Sequence, residues 1–295
     1  MTDSKLTPAD RLLFALFSSS AALLGRLDVS GIRRLSSALS VLLWHGLPSR
    51  RRLAIRNISE RLGMTESAAA EMARKSFSHN MQSFLECVLI PRFQPVAPHF
   101  IIDNPDLVHR VITMGRPVVG STAHLGAWEL LAAVYHTLCP PDGLCTVVVR
   151  RYRSAPFNSL MVQLRGSRGI QVIGHRNAAK EVLRTLRHQG AAAFLVDHHA
   201  GSDEALALPF LGKEAAVNMG PAVLAVRAQA LIWPIAILRE GDNYRLHTQE
   251  PLDTRDLTGE PEARIRAAAQ FYTEAVERMI KLAPEQWFWL HNRWK

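Results

Sequence analysis

What this chain has little of narrows the field first. Cysteine occurs only at Cys87, Cys139 and Cys145, and no two of them form a Cys-x-x-Cys pair. Three thiols leave at least one unpaired, so a disulfide-dense secreted scaffold is excluded and a reduced, cytosol-facing compartment is expected. Long apolar runs are missing too: no segment reaches the ~18 uncharged apolar residues of a spanning helix. Two come part way, 12–25 between Arg11 and Arg26 and 35–49 between Arg34 and Arg50. Asp3 and Asp10 spoil a signal-peptide reading of the first, and no clear Ala-x-Ala site follows it. Arginine-flanked helices lying on a membrane surface and ordinary core helices fit these runs about equally. Acid is in deficit, with 26 Asp plus Glu against 35 Lys plus Arg, a formal charge of +9 and a pI near 10.0. Such an excess suits anionic partners such as nucleic acid, anionic lipid or an acidic carrier protein. Lysine is scarce (Lys5, Lys75, Lys180, Lys213, Lys281, Lys295), so arginine supplies most of the charge. Its forked guanidinium favours phosphate and carboxylate, though high-GC coding gives the same bias. The basic residues are scattered and lack the interleaved aromatics of a nucleic-acid module, so no nucleic-acid partner is expected.

What is present reads as two regions. At 295 residues and 48% hydrophobic, the chain has material for one large domain, or a domain with a helical annex. Residues 1–95 read as helical: two apolar helices broken near Asp28–Gly31, a basic turn at 48–52, then helices from Arg50 and from Thr65. This is the expected membrane-associating region. Pro91, Pro95 and Pro98 punctuate a linker. Residues 96–295 alternate strand and helix. Strands are expected at 100–102, 118–122, 145–150, 171–173, 192–196, 231–238 and 244–248. Helices fall between them, and a long amphipathic one runs over 262–283. The pattern predicts an α/β fold with a largely parallel central sheet flanked by helices.

The stretch from Pro117 to Tyr135 organises the rest. Val118–Thr122 reads as a buried strand, Gly126 as a turn, and Ala127–Leu138 as a helix. His124 and Glu129 stand five residues apart. On one continuous helix that is roughly 500° of rotation and a net divergence of about 140°. They converge only if His124 precedes the helix and the chain turns at Gly126. A histidine at a strand end with a carboxylate in the next helix suits general-base catalysis, the carboxylate fixing the imidazole tautomer. Taken alone, His-x4-Glu is also a common chance match.

Three further stretches give the pair a context: Val149-Arg150-Arg-Tyr-Arg153 with Arg165 fifteen residues after Arg150, Val196-Asp197-His198 followed by Leu208–Gly212, and the C-terminal run Ala283–Lys295. With His124-Leu-Gly-Ala-Trp-Glu129, this order resembles the late (secondary) lipid A biosynthesis acyltransferases, within the lysophospholipid acyltransferase superfamily, over about residues 10–295. The resemblance implies transfer of a fatty acyl chain from an acyl carrier protein thioester to a hydroxyl of a glycolipid. It implies the cytoplasmic face of the bacterial inner membrane, no metal and no organic cofactor. It maps the HX4E catalytic pair onto His124, the base, and Glu129, which orients it. Departures at Ser154, His199, Leu211 and Ala216 sit near the expected acceptor and acyl pockets.

The other candidates follow from chemistry. A tetrahedral oxyanion and substrate phosphates both require cationic donors. Arg150, at a strand end, and Arg165, on the following helix, are expected at the cleft mouth, with Arg150 on the strand next to the one carrying His124 if sheet order follows the chain. Asp197 is expected to orient an arginine or the acceptor, and Arg293 to reach a phosphate. Neighbouring residues at a strand end point apart, so Asp197, His198 and His199 are not expected to hold metal. If extended, Trp287, Trp289, His291 and Arg293 would share one face. Cys139 and Cys145 flank Pro140-Pro141 and are expected to be structural. Two other functions stay open: an acyl-CoA-dependent acyltransferase acting on another glycolipid such as a phosphatidylinositol mannoside, and a non-catalytic basic membrane-surface protein.

Overall fold

The computed structural model describes residues 7–139, 143–175, 178–201 and 205–295. Asp3, Lys5 and the Pro140-Pro141 turn lie outside the described residues. Four helices come first: α1 (Pro8–Leu24), α2 (Val29–Gly46), α3 (Pro48–Leu62) and α4 (Glu66–Glu86). Thr7, Asp28 and Thr65 cap α1, α2 and α4 through their side-chain oxygens. Helix α3 begins instead at Pro48, whose fixed φ suits a first helical position, and it has no side-chain cap.

The sheet then builds from β1 (Phe100–Ile102), β2 (Val118–Thr122), β3 (Cys145–Val149), β4 (Gln171–Gly174), β5 (Ala191–Leu195), β8 (Leu231–Glu240), β9 (Asn243–Thr248) and the short β10 (Leu252–Asp253). Its order is β1-β9-β8-β2-β5-β3-β4, with β10 beside β8. Every pairing is parallel except β8 with β9 and β10 with β8. Strand β5 lies between β2 and β3, which corrects the expectation that the strand bearing Arg150 adjoins the one bearing His124. In register, Thr122 of β2 pairs with Leu195 of β5.

Alternation along the strands divides the interior into two layers. Val118, Ala191 and Leu231 point into a layer with α5 (Pro105–Thr113), α6 (Leu131–Val134) and α7 (Ala155–Gly166). Val119, Ala192 and Ile232 point into the other, with α8 (Ala178–Arg187), α9 (Gly220–Ala228) and α10 (Pro261–Leu282). Helices α2 to α4 share both layers: Ile32 joins the former, and Trp44, Ala54, Ile58 and Phe77 join the latter.

Three local features depart from the sequence reading. Residues 127–138 are not one helix. Short 3-10 turns at Trp128–Leu130 and Tyr135–Thr137 bracket the single α-turn of α6. The buried Tyr135 hydroxyl donates to the Ala191 carbonyl at 2.8 Å, so the end of this segment is tied to the sheet rather than continued as helix. A two-stranded hairpin, β6 (Ala205–Phe210) and β7 (Lys213–Asn218), stands apart from the main sheet. Leu211 and Gly212 both take positive φ at its turn, the geometry of a tight two-residue hairpin loop. Third, Cys139 and Cys145 are joined by a disulfide where a fully reduced set was expected; Cys87 is free and buried.

Candidate active site

Parallel strands leave their carboxyl ends facing one crevice, which is where ligands collect in open α/β sheets. His124 stands two residues beyond β2 and Asp197 two residues beyond β5. Because β2 and β5 pair directly, the two arrive side by side. Asp197 Oδ1 lies 2.9 Å from His124 Nδ1, and Asp197 Oδ2 accepts the His124 backbone N–H at 2.9 Å. The Trp287 indole N–H donates to the same Oδ2 at 2.8 Å. Asp197 is thus buried and fully engaged, and its carboxyl is held well below the usual range; burial opposes this, but the charge and hydrogen bond of His124 and the Trp287 donor prevail. Nδ1–H is therefore the donor to Asp197, and Nε2 has no partner among the described residues. The ring keeps 32% of its surface exposed, enough for a substrate atom to approach.

Glu129 does not make the hydrogen bond to His124 that was expected of it. Its two oxygens accept from Arg165, Nε to Oε2 at 2.8 Å and Nη2 to Oε1 at 2.6 Å. This forked pair is buried, at 11% and 5% exposure for the arginine and glutamate side chains. Burial raises the Glu129 pKa, but the Arg165 charge and hydrogen bonds outweigh it and hold the carboxylate ionised. For His124 the balance is similar: burial disfavours the imidazolium, while the Asp197 charge and hydrogen bond, then the Glu129 charge, carry the pKa above 6.5. Glu129 therefore acts on the ring through its field.

The loop between His124 and Glu129 is held from several sides. Gly126 has φ +59°, and a Cβ there would lie 2.0 Å from the Ile237 carbonyl oxygen, so only glycine fits. Gly126 N–H donates to the Gln286 carbonyl, Ala127 N–H to Ile237, and Phe288 N–H to His124. From α4, Ser83 donates to the Gly126 carbonyl at 2.7 Å, while Ser76 and Asn80 donate to the Trp287 carbonyl at 2.7 and 3.2 Å. Sequence reasoning missed this clamp. Its signal was legible in principle: Ser76, Asn80 and Ser83 recur at helical spacing on the buried face of α4. Around the imidazole, Trp128 meets the ring edge-on at 5.4 Å and Phe288 lies at 5.9 Å, giving apolar walls.

The remaining candidates fall elsewhere. Arg165 is not at a cleft mouth; it is buried under Glu129. Arg150 is exposed beyond the end of β3, one strand further from His124 than expected. Arg293 cannot reach out to a phosphate as placed. It is 1% exposed, donates to the Ala216 carbonyl at 2.6 Å and lies 5.1 Å from the Phe210 ring centre. Burial draws its pKa down to about 10. The C-terminal segment is a series of turns rather than a strand, so Trp287 and Arg293 do not share an extended face. His198 Nδ1 contacts the Leu195 carbonyl at 3.0 Å, and His291 Nε2 accepts the His199 N–H at 3.2 Å. No group of three or more metal-ligating side chains converges among the described residues.

A histidine with a carboxylate behind it and an open nitrogen in front can take a proton from a hydroxyl. Comparison with known proteins gives the family of the chain. The family model described as bacterial lipid A biosynthesis acyltransferase matches residues 8–295. The chain is 28% identical over 203 residues to the lipid A biosynthesis palmitoleoyltransferase of Escherichia coli, covering 66% of this chain and 61% of that protein. It is 25% identical over 198 residues to the phosphatidylinositol mannoside acyltransferase of Mycolicibacterium smegmatis, covering 65% of this chain and 62% of the relative. The aligned part thus spans somewhat under two thirds of these relatives. With the model matched from α1 to the last residue, the chain belongs to the bacterial lipid A biosynthesis acyltransferase family.

Proposed function

We propose that this protein is an acyltransferase that moves a fatty acyl chain from an acyl carrier protein thioester to a hydroxyl of a glycolipid of the lipid A precursor type. The observation that carries the reading is the Asp197–His124 pair with Nε2 free, in a chain of this family. Nε2 of His124 takes the proton of the acceptor hydroxyl as its oxygen adds to the thioester carbonyl. The tetrahedral intermediate collapses, the C–S bond breaks, and the carrier thiolate recovers the proton from Nε2. Asp197 keeps the proton on Nδ1 and stabilises the imidazolium as it forms, the same logic by which a carboxylate serves a hydrolase histidine. Glu129, fixed by Arg165, adds a second negative field on the ring. Arg150, exposed and without a partner among the described residues, is a cation available to a substrate phosphate. The test is mass spectrometry of membrane lipids with and without the gene, paired with in vitro transfer. A lipid A species short by one acyl chain supports the reading; an unchanged lipid profile with no transfer in vitro refutes it. Loss of a chain from another glycolipid, with acyl-CoA as donor, moves the assignment to the second reading, which the mannoside acyltransferase relative favours.

The reading includes a membrane surface at the cytoplasmic face of the inner membrane. No described helix is long and apolar enough to cross a bilayer. Helix α1 is nonetheless apolar, and only Ala21 on it is buried. Leu12, Leu13, Leu16 and Leu23 are 44–65% exposed, and Val41 and Leu42 on α2 add to them. A helix this apolar and this uncovered is stabilised by lipid rather than water. Phe17 packs edge-on against Phe157 of α7 at 6.0 Å, so α1 rests on the catalytic half instead of trailing from it. Leu12→Asp with Leu16→Asp should release the protein from anionic vesicles while its melting temperature holds. Undiminished sedimentation with vesicles would place the contact elsewhere.

A further inference from the structure

Helix α3 carries Arg50, Arg51, Arg52, Arg56 and Arg61 against one acid, Glu60. Arginines in the first turn of a helix work against its dipole, so helix stability does not account for them. Some have internal partners. Arg50 donates to the Leu290 carbonyl at 3.2 Å, Arg51 lies 5.5 Å from the Trp44 ring centre, and Arg61 pairs with Glu60 at 3.0 Å while covering Trp294. Arg52 and Arg56 are exposed and bond to none of the described residues; the same is true of Lys213 at the start of β7. Two clefts meet along this helix. One of about 780 Å³ is lined by Arg52, Arg56, Ser59 and Glu66 among others; a second of about 190 Å³ shares Arg56 and Glu60 and adds Arg61, Lys213 and Trp294. Glu60 is neutralised by Arg61, so the cations stand in excess over the cleft.

We propose that this α3 face docks an acidic helix of the protein that carries the acyl thioester. The inference rests on the carrier-protein donor proposed above and adds where that donor sits. Charge complementarity favours it: the face offers unpaired cations in a concave surface, in a chain with a formal charge of +9. Its chemistry differs from that of the apolar α1 surface. No large hydrophobic side chain is exposed between Leu47 and Phe84 among the described residues, so this face has nothing to insert into a bilayer. The inner side of the same helix meets the C-terminal segment that walls the site. Asn57 of α3 contacts the Trp289 and His291 carbonyls, Arg50 holds Leu290, and Phe288, two residues before Leu290, packs against the His124 ring. Arg56 is about 9 Å along the helix axis from Arg50. Arg52 and Arg56 lie about 160° and about 120° round the helix from Arg50, so a carrier seated over them occupies the outer side of α3, whose inner side holds the C-terminal segment beside His124.

The experiment compares donors on the full chain carrying Arg52→Glu and Arg56→Glu. Saturation kinetics are run with an acyl-loaded acidic carrier protein, with acyl-CoA and with acyl-pantetheine. The expected result is a KM for the carrier donor raised roughly tenfold or more, kcat within about twofold, and unchanged kinetics with the two small donors. Wild-type KM for the carrier should also rise with ionic strength, and that of the variant should not. An unchanged carrier KM overturns the docking site and leaves the donor reading standing. An equal loss with acyl-CoA means the arginines meet phosphate, and lost binding to phosphatidylglycerol vesicles at unchanged carrier KM means they meet lipid; either overturns the proposal. A wild-type enzyme that cannot use the carrier at all removes the donor reading and the docking partner together.

Discussion

Two buried glutamate–arginine pairs lie within this fold, and they differ in what stands beside the carboxylate. Glu86 of α4 and Arg239 of β8 are joined by a fork of 2.9 and 2.5 Å, with side chains 0% and 1% exposed. Gln82 and Tyr244 also donate to Glu86, each at 2.9 Å, and Arg239 donates to Ser83 at 2.6 Å. That cluster faces inward and fastens α4 to the sheet, although the buried Arg239 Nη1 has no partner among the described residues. Glu129 and Arg165 form a similar fork; among the described residues Tyr152 is the further hydrogen-bond partner of the arginine, at 3.5 Å, and the Glu129 charge raises the His124 pKa. The same chemical pair serves as a rivet where amide and phenol donors surround the carboxylate and as an electrostatic element where its charge acts on a titrating ring. The Cys87 thiol is buried beside the second pair, and burial, then the Glu129 charge, push its pKa well up, so it stays a neutral neighbour.

That contrast can be broken in order of expected effect. Removing the ring both carboxylates could act on comes first: His124→Ala should lower kcat by about 10²–10⁴-fold in a protein that still folds. A well-folded variant with wild-type turnover would end the general-base assignment. Asp197→Asn should cost ~10²-fold or more and also move the pH profile. His124 has a raised pKa in the folded protein, so its contribution to stability is full below 6.5 and fades as pH rises through the raised value. Activity needs the neutral ring and follows the opposite sense, rising through that same pKa. Loss of the Asp197 charge lowers it, so the acid limb of kcat should shift to lower pH; an unmoved limb would mean another group titrates there.

The two pairs themselves come next. Glu86→Gln leaves Arg239 buried without its counter-charge and should cost about 3–5 kcal/mol of stability, read by urea unfolding. Its folded fraction should keep near-normal specific activity. Glu129→Gln should show the reverse bias, a loss of roughly tenfold in kcat that exceeds any loss of folded protein. If both variants lose stability and activity in parallel, the distinction between rivet and electrostatic element fails. The smallest effect is expected from reducing Cys139–Cys145. The bridge closes a short loop at the start of β3, the end of the sheet opposite the crevice, so reduction should cost about 2 kcal/mol or less and leave kcat alone. A marked fall in turnover would show that the β3 end communicates with the site.

Legibility from sequence followed the range of the interaction. Strands such as Val118–Thr122 and Leu231–Glu240 announce themselves through β-branched apolar runs, because burial acts residue by residue. Helix starts at Thr7, Asp28 and Thr65 are local chemistry and equally readable. The partner of His124 was not, because Asp197 is 73 residues away and reaches it only through the β2–β5 pairing. Arg165 meets Glu129 across 36 residues for the same reason, so two basic residues read as a cleft mouth became one buried partner and one exposed side chain. The segment after Glu129 has helical composition throughout, yet Tyr135 and the hooks on Gly126 impose a broken path; tertiary contacts overrode propensity there. At the β6–β7 turn, Leu211 in a position that favours glycine gave no signal, though its burial and its N–H bond to Glu277 hold it there.

The ladder between β2 and β5 turns the dyad into a vernier. Thr122 faces Leu195, and each reactive group follows its own strand by the same two steps, so His124 meets Asp197 only while that graduation is kept. A slip of one residue would carry either side chain some 3.3 Å along the strand and turn it to the other face, leaving the rest of the sheet intact and the chemistry gone. The chain between His124 and the start of β5 at Ala191 can therefore lengthen or shorten without retuning the pair. Diversity in this chain has room to accumulate between the strands, where acceptor and donor are met, while the reaction itself is copied by alignment of two short ribbons.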